Sequence, residues 1–104
     1  MEVSIKKECG RLTLYLRGEL DDHAAAGLRR RLDDILEAES MSVVIFDLGG
    51  VTFTDSTGIG LLIGRYKKLK SREVSVFLKN VSAQIEKIFR ISGLFEIMPK
   101  VDEA

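Results

Sequence analysis

The chain opens with apolar residues at every second position. Three leucines occupy positions 12, 14 and 16, with Thr13 and Tyr15 between them. A period of two is typical of a strand that buries one face. Val3 and Ile5 indicate a shorter partner strand. Because Gly10 lies between the two segments, the pattern predicts an antiparallel hairpin.

The apolar spacing then changes to steps of three and four. This period predicts an amphipathic helix over residues 22–38, preceded by the good N-cap residues Asp21 and Asp22. The predicted inward positions are Ala25, Leu28, Leu32, Ile35 and Leu36. On the other face, Arg29 with Asp33 and Arg30 with Asp34 are four residues apart, which predicts weak ion pairs on a solvated surface.

The run "MSVVIFDLGG" is mostly apolar and does not alternate. It predicts a strand over residues 42–48 that is covered on both faces and central in the sheet, with a turn at Gly49 and Gly50. A second helical pattern follows, and it predicts a helix over residues 56–70. Its apolar positions are Ile59, Leu62, Ile63, Tyr66 and Leu69.

The last third of the chain has three shorter patterns. "EVSVFLKN" predicts a strand, and "LFEIM" predicts an edge strand that ends at Pro99. Between them a third helix is predicted, with Ser82 as its cap and Gly93 at its end. The residues expected to point inward are Val74, Val76 and Leu78 on the strand, and Ile85, Ile88, Phe89 and Ile91 on the helix.

The predicted order of elements is β-β-α-β-α-β-α-β. Helices that alternate with buried strands favour parallel pairing through crossover helices. We therefore expect one α/β domain over residues 1–104. It should have a mostly parallel sheet of four to five strands, an N-terminal antiparallel hairpin and three or more helices.

Composition narrows the possible partners. Basic and acidic residues balance at 16 each, so no net charge draws the chain to nucleic acid or to an anionic membrane. No apolar run approaches the roughly 20 residues of a membrane span, and the first residues lack an apolar signal core. A cytoplasmic protein without a cofactor is expected. Cys9 is the single cysteine, which excludes an internal disulfide and a zinc cluster; a half-buried thiol near the hairpin turn is predicted.

Candidate chemistry is concentrated in "VTFTDSTGIG". Asp55 to Gly58 lie at the start of the second predicted helix, where about four backbone N–H groups lack partners and the helix dipole favours an anion. Gly58 and Gly60 each cost roughly 1 kcal/mol relative to alanine in a helix. Two glycines in the first turn would let a large partner approach the backbone closely.

Three interpretations of Ser56 compete. Asp55 or Ser56 could simply cap the helix. Ser56 could be a nucleophile, but the only histidine is His23 and the G-x-S-x-G elbow is absent, so an enzyme is not expected. The third interpretation makes Ser56 a phosphate acceptor, whose modification would change the charge of the helix N-terminus.

Four stretches carry a family resemblance. They are "GELDDHAA" at 18–25, "DSTGIG" at 55–60, "GRYKKLK" at 64–70 and "ISGLFEI" at 91–97. In their order and spacing the chain resembles the anti-sigma factor antagonists of the STAS domain family, and among them the sporulation antagonists that act on the anti-sigma F factor. The resemblance covers nearly the whole chain.

The resemblance implies a partner switch. It implies that Ser56 is phosphorylated by an anti-sigma factor that is itself an ATP-dependent Ser kinase, and that a PP2C-type Ser phosphatase removes the phosphate. The unphosphorylated protein would bind the anti-sigma factor and free the sigma factor. By the same resemblance, Asp55, Thr57 and Gly58 surround the phosphosite.

The partner surface is also implied by the resemblance. It would include Glu19 and Asp21 after the hairpin, and Ile59, Gly60 and Arg65 on the second helix. The alternative function is that of a STAS binding or scaffold module in a stress-signalling or transport assembly, without a phosphorylation switch.

Overall fold

The computed structural model describes residues 1–101 and begins with the predicted hairpin. Strand β1 (Glu2–Glu8) pairs antiparallel with β2 (Arg11–Leu20). Cys9 and Gly10 form the turn with φ values of 47° and 79°, and positive φ at both residues suits a two-residue hairpin turn. The hairpin prediction is confirmed. The predicted half-burial of Cys9 is wrong: the thiol is exposed, because it lies at the tip of the turn.

The remaining strands and the two long helices form a two-layer α/β arrangement. Strands β3 (Val43–Thr54), β4 (Ser75–Lys79) and β5 (Lys100–Val101) complete a sheet of order β1-β2-β3-β4-β5, parallel from β2 onward. Helices α1 (Asp22–Ala38) and α2 (Ser56–Ser71) are the crossovers between parallel strands. They pack against each other and so lie on one face of the sheet. The predicted fold class is confirmed.

The core lies between the sheet and this helical layer. Alternate residues of β2, β3 and β4 point into it, opposite one stripe from each helix. Its fully buried large side chains are Leu12, Leu14, Leu16, Leu20, Leu32, Phe46, Leu48, Leu62, Leu69, Leu78, Ile85 and Phe89. Burial of each such side chain stabilises the fold by about 1.5–3 kcal/mol. Within residues 1–101, none of the helices has the length and apolar content needed to cross a bilayer.

Strand β3 is longer than its apolar run. The predicted turn at Gly49 and Gly50 is wrong, because β3 continues to Thr54 and pairs with the second half of β2. The register slips between Tyr15 and Arg17 and again after Gly18, as in β-bulges. A Cβ on Gly50 would lie 3.1 Å from the carbonyl oxygen of Leu16. The glycines therefore permit close approach of two strands rather than a turn.

The C-terminal part differs most from its prediction. Helix α3 (Ala83–Ser92) begins at the predicted cap Ser82 and ends at Gly93, which adopts the left-handed conformation. The predicted edge strand in "LFEIM" is wrong, because Leu94–Ile97 form a short helix, α4. The buried side chains of Leu94 and Met98 are four residues apart, which suits a helical turn. The edge strand is instead β5, directly after Pro99.

Two predicted core positions on α3 are solvent-facing. Ile85 and Phe89 are buried, whereas Ile88 is 38% exposed and Ile91 is 88% exposed. The prediction that Ile88 and Ile91 point inward is therefore wrong. Helix α3 buries only a narrow stripe of its surface. Ile85 and Phe89, four residues apart, form that stripe.

Candidate functional site

The candidate site forms where β2 and β3 end side by side. Leu20 and Thr54 are the last paired residues of the two parallel strands. After Leu20 the chain enters α1, and after Thr54 it enters α2. Because carboxyl ends of parallel strands meet at one edge of a sheet, the segments after Leu20 and after Thr54 are neighbours.

A single carboxylate links the starts of both helices. Oδ1 of Asp55 accepts a hydrogen bond from the backbone N–H of Gly58 at 3.0 Å, which caps α2. Its Oδ2 accepts one from the N–H of Asp22 at 3.2 Å, the first residue of α1. Asp21 separately caps α1 through the N–H of Ala24 at 3.1 Å. Asp55, and not Ser56, is therefore the N-cap of α2.

The double role of Asp55 can be separated by amide substitution. In Asp55→Asn the amide oxygen can still cap α2, but the NH2 group would face the N–H of Asp22 and the link to α1 is lost. We expect a loss of about 1 kcal/mol in the free energy of unfolding, measured by urea denaturation. Asp21→Asn is the matched control and should be nearly neutral, since asparagine and aspartate cap equally well. Equal stability of Asp55→Asn and the parent would contradict the link.

Ser56 is the first residue of α2 and presents its hydroxyl to solvent. In the described part of the chain, the hydroxyl makes no hydrogen bond, and the backbone N–H groups of Ser56 and Thr57 have no acceptor. Thr57 is half-buried. The carboxylate of Asp55 caps this helix end, but two backbone N–H groups stay free beside an exposed hydroxyl, an arrangement that can receive part of the charge of an anion.

The two glycines of the first turn have different surroundings. A Cβ on Gly58 would lie 2.2 Å from the carbonyl oxygen of Leu20 and 2.7 Å from Oγ1 of Thr54. Gly58 is buried and lets α2 begin against the end of β2, so the expectation that it leaves room for a partner is wrong. Gly60 is exposed, and its Cβ would meet nothing within 4 Å. The fold therefore does not require glycine at position 60.

The structure brings most of the predicted partner residues to this edge. Glu19 is exposed, Asp21 is half-buried as the cap of α1, and Ile59 is half-buried against the core. Together with Gly60 they lie on the two segments that enter α1 and α2, the second of which contains Ser56. They form a surface at the carboxyl ends of β2 and β3.

Arg65 is not part of that surface. It is 5% exposed, and its Nε lies 3.2 Å from Oδ1 of Asp33 on α1. Asp33 also pairs with Lys68 of α2 at 3.3 Å. The predicted pairing of Asp33 with Arg29 is thus replaced by contacts between the two helices. Nine residues of helix, about 14 Å, separate Arg65 from Ser56.

One exposed aromatic residue at this edge was missed by the sequence analysis. Phe53 is 47% exposed and lies three residues before Ser56. It was overlooked because the strand was predicted to end at residue 48. A large aromatic residue between Thr52 and Thr54, next to a candidate phosphosite, is the signal that could have identified it.

No catalytic or metal-binding constellation accompanies Ser56 in residues 1–101. His23 is exposed in the first turn of α1, and no hydrogen bond joins it to Ser56. No three His, Cys, Asp or Glu side chains of the described residues are placed to hold a metal ion. Outside the site, on α3, Glu86 accepts a hydrogen bond from Lys100, which lowers the pKa of that carboxyl.

Comparison with known proteins gives a consistent picture. The sequence model of the STAS domain matches residues 1–104. An anti-sigma F factor antagonist of Lysinibacillus sphaericus is 34% identical over 83 residues, which cover 80% of this chain and 71% of that protein. The solved structure of the anti-sigma factor antagonist SpoIIAA in its unphosphorylated form superposes with a TM-score of 0.81, at 26% identity, over 99% of this chain and 89% of that one.

A second solved structure bears on the candidate modification. The Bacillus cell fate determinant SpoIIAA in the phosphorylated form superposes with a TM-score of 0.73, at 26% identity, over 99% of this chain and 92% of that one. A protein similar to this chain over nearly its full length therefore exists in a phosphorylated and an unphosphorylated form.

Proposed function

Because this chain belongs to the STAS domain family, we propose that it is an anti-sigma factor antagonist switched off by phosphorylation of Ser56. The observation that carries the proposal is the Ser56 hydroxyl, which is exposed at the start of α2 and makes no hydrogen bond within residues 1–101. The existence of phosphorylated and unphosphorylated forms of a similar antagonist supports a switch by phosphorylation.

The unphosphorylated protein binds an anti-sigma factor that has ATP-dependent Ser kinase activity, and a sigma factor is thereby released. A PP2C-type Ser phosphatase restores the binding form. The binding surface consists of Glu19, Asp21, Ile59 and Gly60 around Ser56. The chain acts in the cytoplasm by binding rather than by catalysis, and neither nucleic acid nor a membrane is a partner.

The charges around Ser56 explain how a phosphate would act. A phosphoserine adds about −1.5 to −2 charges. The free N–H groups of Ser56 and Thr57 can hold part of that charge in the unbound protein, so no rearrangement of the fold is needed. In a complex the phosphate would be desolvated next to Glu19 and Asp22 without a cation. That cost opposes binding.

The proposal is tested by competition for the anti-sigma factor. Unphosphorylated protein is added to a preformed complex of sigma factor and anti-sigma factor, without ATP, and free sigma factor is measured by gel filtration. Release in proportion to the added protein is expected. If the sigma factor stays bound and the chain does not associate with the anti-sigma factor, the domain is a STAS module for another assembly.

Gly60→Ala is expected to have opposite effects on folding and binding. The added methyl group meets nothing in the free protein and raises helix propensity, so stability should rise by up to about 1 kcal/mol. In the complex the same methyl group would hold the partner away from the helix backbone. Affinity for the anti-sigma factor, measured by titration calorimetry, should fall at least fivefold.

Gly27→Ala is the matched control for this pair of effects. Gly27 lies on α1 and is exposed, and a Cβ placed on it would also meet nothing within 4 Å. This variant should gain similar stability and retain parental affinity. If Gly60→Ala binds with unchanged affinity, the partner does not contact the backbone of α2 at this position.

A further inference from the structure

The exposure of Phe53 is unusual for its position in the sheet. It pairs with Glu19 in the register of β2 and β3, beyond the part of β3 that pairs with β4. Oγ1 of Thr54 faces the start of α2, since it is among the atoms closest to a Cβ placed on Gly58. Successive side chains of a strand point to opposite faces, so Phe53 points away from the helical layer.

Phe53 is nevertheless within reach of a partner that covers Ser56. Three residues of extended chain span at most about 11 Å, and a standard interface buries about 800 Å² on each side. The other large apolar residues exposed in residues 1–101 are Ile5, Tyr15, Ile88 and Ile91. None of them belongs to the segments that enter α1 and α2 at the site.

An aromatic side chain suits a binding role at this edge. Aromatic residues are enriched among the residues that dominate binding energy at protein interfaces. The segments that enter α1 and α2 contain one large apolar side chain that is exposed in residues 1–101, and it is Phe53.

We infer that Phe53 is the apolar anchor of the surface around Ser56, and that it inserts into an apolar pocket of the anti-sigma factor. This inference rests on the proposed function and extends it. The binding surface thus continues from the exposed side of α2 across the end of β3 to the opposite face of the sheet. The ring supplies buried apolar area to the complex.

The test uses titration calorimetry of the unphosphorylated chain with the anti-sigma factor, for the parent, Phe53→Ala and Ile91→Ala. Phe53→Ala should lose at least tenfold in affinity, whereas Ile91→Ala, the 88% exposed control on α3, should bind like the parent. Thermal unfolding of each variant shows whether it is folded, so that a loss of affinity can be assigned to the missing side chain rather than to unfolding.

The outcomes separate two failures. If the parent does not bind the anti-sigma factor, the proposed function is wrong. If the parent binds and folded Phe53→Ala binds equally well, only the anchor is wrong.

Discussion

Gly58→Ala is expected to destabilise the protein by about 3 kcal/mol or more, the largest effect of a single methyl group in this chain. The new Cβ would lie 2.2 Å from a backbone carbonyl oxygen of β2, which cannot rotate away like a side chain. Overpacking of this kind costs about 1–3 kcal/mol even where side chains can adjust. Here either the helix start or the end of β2 must move.

The measurement for Gly58→Ala is urea unfolding monitored by circular dichroism, beside Gly60→Ala two residues away. The urea midpoint should fall in Gly58→Ala and rise in Gly60→Ala, because a Cβ at Gly60 meets no atom within 4 Å. A midpoint of Gly58→Ala within error of the parent would show that α2 does not start against β2 as described.

Phosphorylation of Ser56 is expected to weaken binding to the anti-sigma factor at least 100-fold, the largest functional effect. A phosphate that is desolvated among carboxylates costs about 3 kcal/mol or more, and 1.4 kcal/mol corresponds to tenfold. The effect should be local, because the free N–H groups of Ser56 and Thr57 can receive part of the charge without a change of fold.

Amide chemical shifts of the phosphorylated and unphosphorylated protein show whether the structural effect of phosphorylation is local. Changes should concentrate at the start of α2 and in the neighbouring segment before α1, which Asp55 joins to it. Titration calorimetry on the same samples gives the affinity ratio. Shift changes spread through β4 and α3 would instead indicate a global rearrangement.

Local patterns predicted the first half of the fold because each element carries its own signals. The predicted bounds of α1 agree with the structure, since its apolar period begins directly after the cap Asp21 and both signals are local. The hairpin follows in the same way from alternation and from Gly10. The start of α2 was also placed correctly, at Ser56.

Non-local packing accounts for the errors. The extension of β3 beyond residue 48 depends on pairing with the second half of β2, through register slips that no local pattern shows. "LFEIM" has apolar residues compatible with a strand or a helical turn, and the left-handed Gly93 before it leads into α4. The burial of Arg65 depends on Asp33, 32 positions earlier in the chain.

The helix start in the candidate site was predicted from the sequence, but its surroundings were not. "DSTGIG" indicated the start of a helix, and α2 begins at Ser56, whose side chain is exposed. That Asp55 also accepts from Asp22 requires the adjacent ends of β2 and β3, which is a property of the sheet. The same adjacency gives Gly58 its structural role and places Phe53 at the edge of the surface.

The most direct test of the switch is the intact mass of the protein after incubation with ATP and the anti-sigma kinase, with Ser56→Ala as control. We expect the parent to gain one phosphate, located on Ser56 by peptide sequencing, and the variant to gain none. A kinase that is active on another substrate but leaves the parent unmodified, or that modifies Ser56→Ala equally, would contradict the assignment of Ser56 as the switch.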